Sequence, residues 1–307
     1  MPELEDGQAL VEVLYVSVDP YMRGRMRERA SYIAPIPVDG VMEAAGVGRV
    51  VASRTPEIKE GEYVGGMLGW QRYAVTSAKA SRKLDPDAAP ISTALGVLGM
   101  PGMTAYFGLL EVMEIKAGQS ILISGAAGAV GSVAGQIAKI MGCRVAGIAG
   151  GEEKVKWLVD ELGFDAAYDY RAEWDHKARI AAMCPDGIDG YFDNVGGEIT
   201  DAALMNLNLR ARVAICGQIS QYNLEKPEMG PRLYFQLIQK RARMEGFLVF
   251  DYADRYSQAL ERMTGWLKEG KLKYRETVVE GLENAPAAFI GMMRGENVGK
   301  MVVKLAG

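Results

Sequence analysis

One histidine and three cysteines in 307 residues leave this chain almost nothing from which to build a catalytic zinc site, which needs three or four clustered thiolate, imidazole or carboxylate ligands. The cysteines, Cys143, Cys184 and Cys216, are odd in number and have no paired spacing, so they read as reduced thiols and not as a disulfide framework. His176 sits among Trp174, Asp175 and Lys177 in a polar stretch of helical spacing and reads as a solvated residue. Basic excess is missing too: 35 Lys and Arg against 39 Asp and Glu give a net charge of −4, so no positive field exists to draw nucleic acid or anionic lipid. No apolar run approaches the ~20 residues of a membrane span, and the start, Met1-Pro2-Glu3-Leu4-Glu5-Asp6, lacks the positive and then apolar segments of a signal peptide. A soluble cytoplasmic protein, with neither nucleic acid nor membrane as partner, is the expectation.

What is present is ordinary globular composition, 49% hydrophobic and 24% charged, in a length that suits two lobes. Residues 1–96 alternate short β-like runs, Ala9 to Val18, Gly46 to Ala52, Tyr63 to Leu68 and Gln71 to Val75, with Gly and Pro punctuation, and predict a mostly β lobe. Ile91 to Leu110 reads as an apolar helical link. From Gln119 the period changes: strands at Ile121 to Ser124, Arg144 to Ile148, Ala166 to Tyr170, Gly190 to Asn194 and Arg212 to Cys216 alternate with helices. That alternation predicts right-handed crossovers and a parallel sheet covered on both faces. The α/β lobe is expected over 97–265, with a helix near Leu233 to Lys240, a strand Met244 to Val249 and an amphipathic helix Tyr252 to Lys268. Residues 266–307 end in the strand-like Lys300 to Lys304 and are expected to return to the first lobe.

The most informative segment is the apolar strand Ile121-Leu122-Ile123-Ser124, followed by Gly125-Ala126-Ala127-Gly128-Ala129-Val130-Gly131 and a helix from Ser132 to Met141. A strand, a glycine turn and a helix start hold a dinucleotide pyrophosphate, because glycine lets the backbone approach the phosphates and unpaired helix amides supply hydrogen bonds. The spacing is Gly-x-x-Gly-x-x-Gly, and an ordinary strand-to-helix turn also favours glycine. In the NAD form of this fold an acid about 20 residues past the turn binds the ribose hydroxyls. Here the second strand ends Ile148-Ala149-Gly150-Gly151 without one, while Lys154 one turn later could meet a 2′-phosphate and Tyr170 could join it. NADP(H) is therefore favoured. Glu152 and Glu153 flank the lysine, so a solvated helix lysine is the other reading.

Several longer strings carry a resemblance: Ser17-Val18-Asp19-Pro20-Tyr21-Met22-Arg23-Gly24-Arg25-Met26, Gly69-Trp70, Gly99 to Tyr106, the glycine turn, Phe192-Asp193-Asn194-Val195-Gly196-Gly197, Cys216 to Asn223 and Gly295 to Lys300. The chain resembles the zinc-independent medium-chain dehydrogenase/reductases, specifically the NADP-dependent alkenal, prostaglandin and curcumin double-bond reductases. The resemblance implies a GroES-like catalytic lobe joined to a doubly wound Rossmann domain, and a homodimer joined through the nucleotide lobes. It implies that Gly128, Ala129, Val130 and Gly131 contact pyrophosphate, Lys154 and Tyr170 the 2′-phosphate, and Asn194 the ribose region. Cys216, Gly217, Ile219, Ser220, Tyr222, Phe247, Leu248, Val249 and Asn297 would line the nicotinamide side, and Tyr21 and Tyr222 would face substrate. Relatives of this kind begin roughly 30 residues earlier with a strand of the catalytic lobe, whereas this chain opens at what resembles the Pro-x-x-Gly-Asp-Gly turn after it. Either the sequence is trimmed or the lobe lacks a strand, and in the second case a sheet edge is exposed.

The implied chemistry is NADPH-dependent reduction of the carbon–carbon double bond of α,β-unsaturated ketones and aldehydes. Hydride adds at the β-carbon while hydroxyls or amides stabilise the enolate oxygen in place of a metal. Tyr222 is the first choice of donor and Tyr21 the second; the competing reading makes each a packed aromatic, as most of the 14 tyrosines must be. Trp70 and Met100 to Met103 are expected to border the pocket. Quinone reduction or alcohol dehydrogenation on the same fold is the alternative within enzymes, and a non-catalytic NADPH-binding protein is the alternative outside them.

Overall fold

The computed structural model describes residues 3–28 and 34–305. In chain order the strands and helices are β1 (Gln8–Ser17), a one-turn helix α1 (Met22–Arg25), β2 (Gly46–Ser53), β3 (Tyr63–Gly66), β4 (Tyr73–Ser77) and β5 (Ser81–Leu84), then α2 (Met100–Phe107), β6 (Ser120–Ile123), α3 (Gly131–Ile140), β7 (Arg144–Ala149), α4 (Glu152–Lys156) and β8 (Ala166–Asp169). The remainder comprises α5 (His176–Met183), β9 (Ile188–Asp193), α6 (Gly197–Leu204), β10 (Leu207–Ile215), α7 (Tyr234–Lys240), β11 (Arg243–Gly246), α8 (Tyr256–Lys268), β12 (Glu276–Glu280), α9 (Ala285–Met293) and β13 (Lys300–Lys304). Two compact units result, Met1–Gly99 with Glu276–Gly307, and Met100–Arg275. Among the described residues no helix is long and apolar enough to cross a membrane.

The first unit is a seven-stranded sheet in the order β12-β13-β1-β2-β3-β5, with β4 also paired to β1. Only β12 and β13 run parallel; the other pairs are antiparallel. Period-two alternation splits neighbouring side chains between faces. Val303 joins the main core with Val11, Val13, Val50 and Val64, whereas Val302 points to the smaller cluster of Val47 and Leu95. Helix α9 closes the main core with Ala285, Ala288, Phe289 and Met292, a spacing of three, four and seven that puts all four on one helical face.

The second unit is a six-stranded sheet in the order β11-β10-β9-β6-β7-β8, parallel throughout. Strand β6 is buried at all four residues, as expected of a parallel strand covered on both faces. The chain leaves β6 toward β7 on one side, and β9 returns to pair with β6 on the other. The crevice at such a reversal, outside the carboxyl ends of the strands, is where open α/β sheets bind ligands.

The apolar link read as one helix over Ile91 to Leu110 is broken. Ile91–Leu95 forms a 3₁₀ turn, Gly96 leaves the helical region at φ −128° and ψ −108°, and α2 starts only at Met100 before ending in a π-helical turn over Gly108–Val112. The amphipathic helix starts at Tyr256, after a 3₁₀ stretch Val249–Arg255, rather than at Tyr252. The return to the first unit begins at Glu276, where the sequence suggested 266. His176 is half-buried at the start of α5, its Nδ1 3.2 Å from the Tyr168 hydroxyl, rather than solvated.

Helix α3 lies so close to its neighbours that size at one position decides the packing. A Cβ on Gly135 would stand 1.9 Å from the Phe164 ring, while one on Gly265, inside α8, would meet nothing within 4 Å. Gly135→Ala is expected to lower stability by about 1–3 kcal/mol through overpacking. Gly265→Ala is expected to raise it by about 0.5–1 kcal/mol through helix propensity. Urea unfolding monitored by circular dichroism checks both signs.

Candidate active site

Because all six strands of the second unit run the same way, the segments that follow them emerge along one edge of the sheet. After β6 comes the glycine turn. Gly125 has φ +58°, a conformation that disfavours a side chain, and its carbonyl accepts the Gly128 amide at 3.0 Å. The Ala126 amide donates to Ile148 O at 2.9 Å and ties the turn to β7. A Cβ on Gly131 would stand 2.4 Å from Gly125 O, so this glycine is required by the turn's own closure. Gly128, Ala129 and Val130 are half-buried, and no side chain caps the start of α3. A helix start without a side-chain cap offers its amides to an anion.

After β9 the chain is fixed by a carboxylate. Asp193 is fully buried, and its Oδ1 accepts from Ser124 Oγ (3.0 Å), the Tyr191 hydroxyl (2.9 Å), Val195 N (2.9 Å) and Gly196 N (3.0 Å), while its Oδ2 accepts from Thr200 Oγ1 (2.6 Å). Burial, with Asp193 alongside, raises the Tyr191 phenol well above its usual value, so this donor stays protonated. Asn194 is thereby held over the glycine turn: its amide donates to Ser124 Oγ (2.9 Å) and its Nδ2 to Ser124 O (2.8 Å). The Asp193 carbonyl accepts the amides of Cys216 and Gly217 (2.9 and 3.1 Å), and Val195 O accepts the Ser220 hydroxyl (2.6 Å). The segment after β10 is thus anchored to the segment after β9.

That second segment contains Cys216, Gly217, Ile219, Ser220 and Tyr222. The Tyr222 hydroxyl accepts the Gln218 amide at 3.2 Å and lies 3.1 Å from where a Gly217 Cβ would stand. Burial raises its pKa, so the phenol keeps a proton to donate at neutral pH. The Cys216 thiol is pushed up to about 12 by burial and Asp193, so it stays protonated at neutral pH. After β11, Phe247 sits edge-on to Phe192 (6.2 Å, 83°), Leu248 is exposed and Val249 is buried. Asn297 and Tyr21 belong to the first unit. Asn297 Nδ2 donates to Gly299 O at 2.8 Å just before β13, and Tyr21 precedes α1, packed on the main core with Met42 and Trp70.

At the ends of β7 and β8, Lys154 stands in α4 and Tyr170 follows β8. A Cβ on Gly150 would lie 2.8 Å from Tyr170 Cε1 and 2.9 Å from Arg171 Nε, so the two side chains cover this glycine. Burial first, and then the neighbouring Arg171 charge, lower the pKa of Lys154. Arg171 also lies over the Tyr170 ring, 5.8 Å from its centroid. Two cations set near one another, one of them desolvated, suit an anion that neutralises both. The sequence reading included Lys154 and Tyr170 but missed Arg171, although Asp169-Tyr170-Arg171 ends a strand at the same edge. It also missed the Asp193 network, whose signal was an acid closing the apolar run Tyr191-Phe192.

The cysteines do not converge: Cys143 and Cys184 are buried with raised thiol pKa values, and among the described residues no group of three or more His, Cys, Asp or Glu could hold a metal.

A family model described as "N-terminal domain of oxidoreductase" matches residues 1–84, and one described as "Zinc-binding dehydrogenase" matches residues 129–265. The chain is 44% identical to the NADPH-dependent curcumin reductase of Escherichia coli, over 98% of this chain and 89% of that one. It is 46% identical to the NADP(+)-dependent 2-alkenal reductase of Nicotiana tabacum, over 98% of this chain and 88% of that one. The crystal structure of CurA from Vibrio vulnificus in complex with NADPH has a TM-score of 0.95 and 46% identity, and the match covers 100% of this chain and 92% of that one.

Removing either cation should discriminate between dinucleotides. Lys154→Ala and Arg171→Ala are each expected to weaken NADPH binding about tenfold to a hundredfold, the loss of one charge-assisted contact, while NADH binding changes less than about twofold. Fluorescence titration with both dinucleotides checks this; an equal loss for NADH would remove the pair from phosphate recognition.

Proposed function

The chain belongs to the NADP-dependent double-bond reductases of the medium-chain dehydrogenase/reductase family, and from that premise we propose that it reduces the carbon–carbon double bond of α,β-unsaturated ketones and aldehydes with NADPH. The observation that carries the cofactor assignment is the Lys154–Arg171 pair beside Gly150, at the strand end where an NAD enzyme would carry an acid. In this reading Gly128 to Gly131 bind pyrophosphate through backbone amides, Asn194 contacts the ribose region, and Tyr170 flanks the adenosine phosphate. Cys216, Gly217, Ile219, Ser220, Phe247, Leu248, Val249 and Asn297 border the nicotinamide.

When bound, the reduced dinucleotide supplies hydride to the electrophilic β-carbon. The chain's task is then to hold the conjugated carbonyl and to meet the negative charge that develops on its oxygen. Tyr222 is the first candidate for that donor. Its oxygen takes the Gln218 amide, its own proton has no acceptor among the described residues of its unit, and burial keeps that proton on at neutral pH. Tyr21 is the auxiliary donor or a wall for the substrate. With no cluster of metal ligands among the described residues, we assign charge stabilisation to hydroxyls and amides and read the chemistry as metal-free.

We further place the protein in the cytoplasm as a homodimer joined through its nucleotide-binding units. Strand β11 lies at a sheet edge, and the adjoining helix α7 shows Tyr234, Phe235 and Ile238 to solvent, which supports that face as the junction.

A panel of enones, alkenals and quinones assayed with NADPH and NADH tests the function. NADPH oxidation with simple alkenals, unaffected by a chelator, is expected; turnover of quinones alone, or loss of activity on chelation, would overturn it. Tyr222→Phe is expected to lower kcat about a hundredfold, the usual cost of one oxyanion donor, with little change in KM. A loss below about threefold would reduce Tyr222 to orientation.

A further inference from the structure

In the first unit a lysine is buried where the strand pattern calls for an apolar residue. Lys300 opens β13, is 3% exposed, and is followed by Met301, Val302 and Val303, all buried. Its stem packs against Gly96, where a Cβ would stand 3.3 Å from Lys300 Cγ. Its ammonium has three protons and meets three acceptors: Val18 O at 2.7 Å, Met301 O at 2.9 Å and Asp19 Oδ1 at 3.1 Å. Asp19 is 5% exposed, and its other oxygen accepts the Ser17 hydroxyl. Trp70 Nε1 donates to Ser17 O at 3.0 Å, and the Val18 amide donates to Met301 O at 3.3 Å.

Apart from the ammonium's bond to Met301 O, these bonds converge on Ser17-Val18-Asp19, the three residues that end β1 and lead into the turn carrying Tyr21. The same turn continues from Asp19: its carbonyl accepts the Met22 amide (3.2 Å), Pro20 O accepts Arg23 N (3.1 Å) and Tyr21 O accepts Gly24 N (3.0 Å). A buried ion pair adds little net stability over apolar residues of the same size, since desolvating both charges offsets most of their attraction. What such a pair does supply is direction: the acceptors must stay where the ammonium points.

We propose that the buried Lys300–Asp19 pair is a positioning device for Tyr21, fixing the turn from which that phenol projects. The inference rests on the role given to Tyr21 above. Lys300 and Asp19 are positioning residues: they act through the backbone of residues 18–22, and their effect on turnover is exerted through Tyr21.

The test uses the whole chain and replaces both charges at once, Asp19→Asn with Lys300→Met, so that neither member of the pair is left charged without the other. In that double variant, hydrogen exchange at the amides of Met22, Arg23 and Gly24 is expected to quicken about tenfold or more, with the amides of β6 to β10 unchanged. With an enone substrate, kcat/KM is expected to fall about tenfold, whereas the same two changes made on top of Tyr21→Phe should cost less than about twofold, because coupled residues are not additive. Unchanged exchange, or an equal loss in both backgrounds, overturns the inference. If Tyr21→Phe alone has no kinetic effect, the role of Tyr21 falls, and the exchange data still decide whether the pair fixes the turn. Should the double variant not fold, Asp19→Asn alone, which retains Val18 O and Met301 O as acceptors, serves for the same exchange comparison.

Discussion

A buried carboxylate is costly unless its lone pairs are met, and Asp193 receives five donors at the reversal between β6 and β9. Four of the five come from β9, the turn after it or α6, and the fifth comes from Ser124, the residue that follows β6. The two central strands are therefore locked at the point where the strand order reverses. Through Ser124 the lock sets Asn194, and through the Asp193 carbonyl it sets Cys216 and Gly217, from which the chain turns toward Tyr222. The glycine turn, Asn194 and the candidate donor are all fixed from one fully enclosed charge. No part of that network needs to touch a ligand in order to shape the site.

Charge is used differently at the two ends of the parallel edge. Near Asp193 the negative charge is enclosed and every donor around it is neutral; burial, with the Asp193 charge alongside, raises the Tyr191 and Tyr222 phenols so that both stay protonated. Beside Gly150 burial, and then the Arg171 charge, depress the Lys154 pKa, a penalty that a bound phosphate would relieve. The first suits neutral hydrogen-bond donation to a developing oxyanion, the second suits binding of a dianion. The same logic of enclosed charge recurs in the first unit, where Lys300 and Asp19 neutralise each other around the turn that leads to Tyr21.

Much of this arrangement was legible in the sequence because it depends on local signals. The strand, glycine turn and helix from Ile121 onward, the absence of an acid after Ile148-Ala149, and the alternation of strands and helices are all written in consecutive residues. What was hidden depends on distance along the chain. Ser124 and Asp193 meet 69 positions apart, and no periodicity announces such a pair. Arg171 was overlooked because its meaning comes from Lys154 on a neighbouring element. The breaks at Gly96 and the π-helical turn after α2 follow from backbone geometry to which an apolar run is blind. Strand β12 escaped because its burial is partial and its partner β13 sits beyond an entire helix.

The proposed reaction turns on where a reduced nicotinamide delivers its hydride. Turnover of a conjugated alkenal with NADPH deuterated at the nicotinamide 4-position, followed by NMR of the product, tests it most directly. Deuterium on the β-carbon of a saturated aldehyde is the predicted result. Deuterium on the former carbonyl carbon, with the double bond intact in an unsaturated alcohol, would contradict it.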